Sequence, residues 1–237
     1  MTSLAEILLA FFLLTNLALA GTGRLRQAIR LVAVQGWIVG LLPLLFWDWS
    51  SGRVPAPHVW AIAVINAAVK GLALPALLLY AAKKSKVNFE LEPLVGYRLS
   101  QLVAFLIALA SFALGKAMHI EETVASELAI PVAFATMGTG LFLICARRKA
   151  ITQVLGFLAF ENGIAVFGAG ILLEYGLVIE LGILLDVVVL VFVLGIAIRQ
   201  IKRTFSSLDT VKLSELGDVH LMRHKARIGK RRTGNRV

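Results

Sequence analysis

Apolar residues run along this chain in seven long stretches, separated by short polar or basic segments. An apolar run of about 20 residues is what an α-helix needs to cross the hydrocarbon core of a bilayer. The pattern predicts transmembrane helices at 3–20, 31–47, 59–82, 99–118, 127–146, 151–173 and 178–198. The expected fold class is an all-α polytopic membrane protein, and seven crossings would place its two termini on opposite sides of the membrane.

Composition supports a membrane protein and excludes other classes. Of the 237 residues, 59% are hydrophobic and 16% are charged, which is too apolar for a soluble domain of this length. The lone Cys145 excludes an internal disulfide and any metal centre built from cysteines. Only His220 and His224 have the i, i+4 spacing of a two-histidine site, and they stand in a basic tail. We therefore expect no metal or cofactor bound by this chain itself.

The first apolar stretch has two interpretations. Ala18-Leu19-Ala20 resembles the cleavage site of a secretory signal peptide. The residues before this stretch, however, contain no Lys or Arg, and the stretch itself carries Glu6. These features favour an uncleaved transmembrane helix.

Basic residues mark one end of each predicted span. Of the 24 Lys and Arg residues, 21 lie in the first, third and fifth connections and in the tail from Arg199 onward, whereas the opposite connections hold only Arg53 and Lys116. The positive-inside rule then predicts an outside N-terminus and a cytoplasmic C-terminus in a bacterial or archaeal inner membrane. The net charge of +10 is mainly a topology signal, so we expect a lipid bilayer and no nucleic acid as partner.

Three ionisable residues lie deep within the predicted spans. Glu161, Asp186 and Lys70 each stand 13 residues from a basic residue that flanks their span. At a rise of about 1.5 Å per residue, all three share one layer roughly 20 Å from that flank. Charged groups at such depth are costly and usually mark an ion or proton path. Glu161, Asp186, Lys70 and the shallower Glu180 are therefore the candidate proton-path residues, and static pairing is the alternative.

The sixth span has two faces suited to packing on protein. Gly156, Gly163 and Gly170 recur every seven residues on one face, where small side chains let another helix approach closely. Glu161 lies on the opposite face and cannot point toward lipid. In the third span, Pro75 removes the backbone hydrogen bond to residue 71 and can bend the helix close to Lys70.

The last three predicted spans resemble the small K subunit of bacterial complex I and the C subunit of multisubunit sodium/proton antiporters. The resemblance is carried by the basic loop 147–149, Gly156, the mid-span Glu161, Asp186, Gly195, Arg199 and a tail that runs from Leu208-Asp209-Thr210 to Glu215-Leu216. In that family two buried glutamates belong to a hydrophilic axis linked to proton movement. Glu161 matches the first glutamate, and Asp186 replaces the second with a side chain one methylene shorter.

Four additional N-terminal spans make the whole chain similar to hydrogenase-4 component E, a membrane subunit of hydrogenase and formate hydrogenlyase complexes. The expected organisation is a four-helix membrane region at 1–124, a K-subunit-like three-helix region at 125–204 and a cytoplasmic basic tail at 205–237. The resemblance implies antiporter-like and complex I H-like membrane partners, and a peripheral nickel-iron/iron-sulfur redox arm.

These observations leave three functional hypotheses. The first is a subunit of a hydrogenase-type oxidoreductase complex that has no active site of its own and contributes buried groups to proton translocation. The second is a subunit of a cation/proton antiporter or an ion-coupled uptake complex, in which the same residues serve ion exchange. The third is a structural spacer with static ion pairs. An intramembrane enzyme is disfavoured because the spans contain no Ser-His or Gly-Xaa-Ser-Xaa-Gly arrangement.

Overall fold

The computed structural model describes residues 2–47, 54–84, 94–118 and 126–170, together with the single residue 195. Within these ranges the chain is almost entirely helical and has no strand. The α-helices are α1 Thr2–Gly21, α2 Leu25–Leu45, α3 Pro57–Ala68, α4 Leu74–Lys84, α5 Tyr97–Ala117, α6 Ala129–Ala146 and α7 Ala150–Gly170. A π-helical turn, Val69–Ala73, joins α3 to α4.

The described ranges contain six helical units long and apolar enough to cross a membrane, because α3, the π-helical turn and α4 form one unit. They correspond to the first six predicted spans, so the protein is a multi-pass membrane protein. The predicted seventh span at 178–198 and the tail at 205–237 lie outside the described residues. The total of seven spans and the orientation of the termini stay predictions.

Helix α2 begins at Leu25, six residues before the predicted start of the second span at 31. The apolar pattern placed the boundary too late because Arg26 and Arg30 interrupt it. Both arginines are exposed, whereas Ala28 and Ile29 between them are buried. A helix continues through charged positions when its opposite face is packed, so the helix extends beyond its apolar run.

The helix is distorted just before Pro75, where the sequence indicated that it can bend, and the distortion is a π-helical turn. The N–H of Leu74 donates to the carbonyl oxygen of Val69, five residues back, in place of the usual four. Pro75 follows at once and has no N–H to donate into this turn. The widened turn includes Lys70, which is buried together with Gly71.

The glycine face of α7 packs against α6, as the sixth-span pattern predicted. A Cβ atom on Gly163 would lie 2.7 Å from the backbone nitrogen of Met137, and one on Gly156 would lie 2.8 Å from the backbone nitrogen of Ile144. A Cβ on Gly170 would lie 2.7 Å from the Cβ of Ala129. The two helices are therefore in backbone contact along most of their length.

Three other helices, α1, α2 and α5, contact this pair. Helix α2 contacts α1, α3, α4 and α7, while α1 and α5 contact α6. Helices from the predicted N-terminal region thus pack directly on helices from the predicted K-subunit-like region. The domain boundaries at 124 and 204 stay predictions.

Large apolar side chains cover the outer faces of α1 and α5. They include Leu4, Ile7, Phe11 and Leu14 on α1, and Leu99, Leu102, Phe105, Leu106 and Leu109 on α5. Such continuous apolar surface is costly in water but suits contact with lipid or with a membrane partner.

Candidate functional site: a buried ion pair in a polar layer

Lys70 and Glu161 form an ion pair inside the helix bundle. The Nζ atom of Lys70 lies 3.1 Å from Oε1 of Glu161, and the side chains are only 7% and 2% exposed. The contact places the two residues at the same level of the bundle, in agreement with their equal distances from the basic flanks. Removing one partner of such a pair leaves an uncompensated buried charge, which typically costs about 3–5 kcal/mol. Their proton-path role stays a prediction.

Close helix contacts bring these two residues together. A Cβ atom on Gly36 of α2 would lie 2.5 Å from the backbone carbonyl carbon and oxygen of Lys70. Helix α2 therefore meets the π-helical turn without an intervening side chain. Because α2 also packs against α7, it holds the turn carrying Lys70 beside the helix carrying Glu161.

A chain of buried hydrogen bonds joins three helices at the same level. The side-chain nitrogen Nε2 of Gln35 donates to Oγ1 of Thr15 at 2.9 Å and to Oδ1 of Asn16 at 2.8 Å. Asn16 in turn donates from Nδ2 to Oγ1 of Thr136 at 2.7 Å. The threonine hydroxyls donate to backbone carbonyls of their own helices, those of Phe12 and Val132. Helices α1, α2 and α6 are thus linked by polar contacts.

The ion pair and this network form one polar layer between two apolar clusters. On one side are buried residues nearer the basic flanks, including Leu19, Ile29, Leu74, Leu143 and Leu158. On the other side are Leu9, Phe12, Val39, Val132 and Val166. In α1, α2, α6 and α7 the polar residues lie between the two clusters in the sequence, and Lys70 joins the layer through its contact with Glu161. We call the set Thr15, Asn16, Gln35, Lys70, Thr136 and Glu161 the polar layer.

Arg147 forms a second buried polar site, at the end of α6. It is 2% exposed, and its Nη2 atom donates to the carbonyl oxygen of Ala20, at the end of α1, at 2.9 Å. Its guanidinium group lies over the ring of Tyr97, 5.5 Å from the centroid. Burial lowers the pKa of Arg147, and the interaction with Tyr97 partly opposes that shift. Arginine nevertheless stays protonated in proteins, so the site is a buried cation that joins α1, α5 and α6.

Two of the candidate residues lie beyond the described ranges, and the amide side chains of the spans differ in their surroundings. Asp186 and Glu180 lie outside the described residues, so their relation to the ion pair stays a prediction. Asn162 is buried beside Glu161, whereas Gln101 is exposed. Gln153 donates to the carbonyl oxygen of Arg147 at 3.0 Å and belongs to the second polar site. Across the described ranges, no group of three or more His, Cys, Asp or Glu residues could hold a metal ion.

The sequence pattern did not single out Thr15, Asn16 and Thr136, and it gave Arg147 only as part of a basic loop. Thr15-Asn16 is a polar pair in an otherwise apolar run, which is a detectable signal. Thr136 gives no such signal, because threonine is common in membrane helices and its hydroxyl often donates a hydrogen bond to the backbone of its own helix. The burial of Arg147 depends on Ala20 and Tyr97, which are distant in the sequence.

The fold and the polar layer define the class of this protein: a multi-pass helical membrane protein that encloses an ion pair between its spans. The chain is 31% identical to uncharacterized protein Rv0085 of Mycobacterium tuberculosis (strain ATCC 25618 / H37Rv) over 195 residues, which cover 82% of this chain and 87% of that protein. It belongs to the same family as that mycobacterial protein.

More distant relatives are hydrogenase-4 component E proteins. The chain is 27% identical over 153 residues to hydrogenase-4 component E of Escherichia coli (strain K12) and of Shigella flexneri. The matched residues cover 62% of this chain and 68% of each relative. No family model matches the chain, and no solved structure matches it.

Proposed function

We propose that this protein is a membrane subunit of a hydrogenase-type complex and that the Lys70–Glu161 pair handles protons within it. The observation that carries the proposal is the ion pair itself, buried within two spanning helices with 3.1 Å between Nζ and Oε1. A carboxylate and an ammonium group at that distance influence each other's proton affinity. The partial similarity to hydrogenase-4 component E supports membership of such a complex.

The proposed proton path extends to residues beyond the described ranges. Asp186, and more peripherally Glu180, would extend the path from Glu161 through the seventh span. The partners would be antiporter-like and complex I H-like membrane subunits and a nickel-iron/iron-sulfur redox arm. In this arrangement the chain has no active site of its own, and redox chemistry on the partner would be coupled to protonation of its buried groups.

The structural-spacer hypothesis remains a second candidate because a formed ion pair is what it predicts. In a spacer, Lys70 and Glu161 keep their charges and only hold the helices together. A relay requires Glu161 to gain and lose a proton. Replacing Glu161 by Gln prevents that exchange while keeping the shape of the side chain, so this substitution separates the two functions.

The test uses the complex purified from native membranes through a tag on this chain and reconstituted in vesicles. In Glu161→Gln we expect normal assembly and redox turnover, and at least a tenfold loss of coupled proton movement. Glu6→Gln is the matched control because Glu6 is an exposed carboxylate on a spanning helix. Unchanged coupling in Glu161→Gln would eliminate the relay role.

Loss of assembly would need one further variant. If Glu161→Gln fails to assemble and the neutral double variant Lys70→Met with Glu161→Gln assembles and keeps full coupling, the pair is structural and the spacer is correct. The companion subunits that copurify decide the class of complex. A redox arm supports a hydrogenase-type complex, whereas antiporter subunits alone favour the cation/proton antiporter.

A further inference from the structure

The side-chain amide of Gln35 has one polar atom, Oε1, that takes no part in the hydrogen-bond network of the described residues. Gln35 is fully buried, and its Oε1 atom has no hydrogen-bond donor in the part of the chain that the structure describes. A buried acceptor without a donor typically costs about 1–3 kcal/mol. Such buried acceptors without a donor are uncommon in folded proteins, so this one needs a functional or structural explanation.

The orientation of this amide follows from its neighbours. The Thr136 hydroxyl donates to the carbonyl of Val132, so it accepts from Nδ2 of Asn16 and turns Oδ1 of Asn16 toward Gln35. The Thr15 hydroxyl donates to the carbonyl of Phe12 and likewise accepts from Gln35. Reversing the Gln35 amide would set its oxygen against Oδ1 of Asn16, which is also an acceptor. The network therefore fixes Oε1, and not Nε2, as the atom of the Gln35 amide without a hydrogen bond among the described residues.

Gln35 precedes Gly36, the residue of α2 that contacts the backbone of Lys70. Gly36 meets the carbonyl of Lys70 at backbone distance, so the turn carrying the lysine lies directly against this part of α2. An ammonium group carries three N–H donors and can contact more than one acceptor. When Glu161 takes up a proton it loses its negative charge, and the buried ammonium group gains more from a second neutral acceptor.

We propose that Gln35 is a positioning residue of the ion pair, and that its Oε1 atom accepts a hydrogen bond from the Lys70 ammonium group when Glu161 is protonated. This inference rests on the proposed function, because it assumes that Glu161 exchanges a proton. Thr15, Asn16 and Thr136 then act through Gln35: they hold its nitrogen and keep its oxygen available. The polar layer would thus stabilise both protonation states of the pair.

Other ionisable groups on the contacting helices lie near helix ends. They are Glu6 on α1, Arg26 and Arg30 on α2, His58 on α3, Tyr80, Lys83 and Lys84 on α4, and Cys145 on α6. Among the described residues, Lys70 is the ion-pair partner of Glu161.

Infrared spectroscopy can observe the proposed hydrogen bond directly. The whole protein is prepared in lipid with ¹³C-labelled glutamine side chains, and the Gln35 carbonyl band is isolated by subtracting the spectrum of Gln35→Met in the same background. Glu161→Gln serves as the mimic of the protonated acid. We expect the band to move to lower frequency in Glu161→Gln, and to stay at its original frequency when Lys70→Met is added.

Either of two results would overturn the inference: no band shift in Glu161→Gln, or a shift that persists without Lys70. If Gln35→Met does not accumulate, Gln35→Glu provides the reference spectrum, because it also removes the labelled amide. This measurement needs no transport activity. If Glu161→Gln shows the band shift but unchanged coupled proton movement, the hydrogen bond from Lys70 to Gln35 is supported and the proposed function is rejected instead.

A functional measurement tests the positioning role of Gln35 in the assembled complex. Gln35→Met removes the acceptor, and Gln101→Met is the matched control because it makes the same change at an exposed amide of the spanning helix α5. Loss of a hydrogen bond to a charged group typically changes an equilibrium constant about tenfold or more. We therefore expect coupled proton movement to fall about tenfold in Gln35→Met and to stay near wild type in Gln101→Met, with both variants assembled. Unchanged coupling in Gln35→Met, or an equal loss in both variants, would overturn the positioning role.

Discussion

At the scale of single residues, buried charge is handled in two different ways. Lys70 is paired with the carboxylate of Glu161. Arg147 instead donates to the carbonyl of Ala20 and lies over Tyr97. A cation near the C-terminal carbonyls of a helix is favoured by the helix dipole, and an aromatic face adds a cation–π contact. Arg147 therefore connects helix ends, while Lys70 takes part in the polar layer.

Replacing Arg147 by Ala should destabilise the protein by about 2–4 kcal/mol, because it removes a charged hydrogen bond and the packing on Tyr97. The matched control is Arg148→Ala, since this neighbouring arginine is exposed and surface substitutions usually stay within about 0.5 kcal/mol. Thermal unfolding of both variants in lipid nanodiscs measures the difference. Equal stability of the two variants would contradict the structural role assigned to Arg147.

At the scale of elements, glycine positions decide which helices touch. Gly140 of α6 lies against the backbone of Phe160, and Gly163 of α7 lies against the backbone of Met137. Backbone contact of this kind sets the relative position of α6 and α7 and therefore the position of Glu161. The π-helical turn sets the position of Lys70, because it shifts the register of the helix before Pro75.

Gly163→Leu should prevent stable packing of α6 on α7. The new side chain would meet the backbone of Met137 and the carbonyl oxygen of Ala133, and backbone atoms cannot move aside as a flexible side chain can. Overpacking of this kind typically costs about 1–3 kcal/mol and occasionally more. Ala113→Leu is the control because Ala113 is exposed on α5. The yield and melting temperature of the purified protein check the prediction, and similar values for both variants would refute it.

At the scale of the whole molecule, the described helices form one bundle with apolar outer faces and a polar layer inside. The spans themselves do not settle which side of the membrane each end faces. The basic residues predict that Gly96 lies on the cytoplasmic side and Met118 on the outer side. These two exposed residues stand at opposite ends of α5.

Cysteine labelling tests this orientation. In a Cys145→Ser background, Gly96→Cys should react with a membrane-impermeant maleimide only in inverted vesicles, and Met118→Cys only in right-side-out vesicles. Each variant is the control for the other, because both carry a single exposed cysteine on the same helix. The reverse pattern would show that the N-terminus is cytoplasmic.

The amino-acid sequence by itself determined the membrane class, the approximate positions of six spans, the glycine face of α7 and the equal depth of Lys70 and Glu161. These properties are local or periodic: hydropathy adds up along one helix, and depth follows from counting residues from a basic flank. The start of α2 was wrong because apolar content says little about a helix whose first turns carry exposed arginines.

Only the tertiary structure decided that Lys70 pairs with Glu161, that Gln35 bonds to Thr15 and Asn16, and that Arg147 is buried. Asn16 and Thr136 are 120 residues apart in the chain, and no local pattern specifies which helices become neighbours. That choice depends on backbone approach at glycines such as Gly36 and Gly163, where one added carbon would separate the helices. Contacts between distant residues arise from the packing of all helices together, which a one-dimensional pattern does not contain.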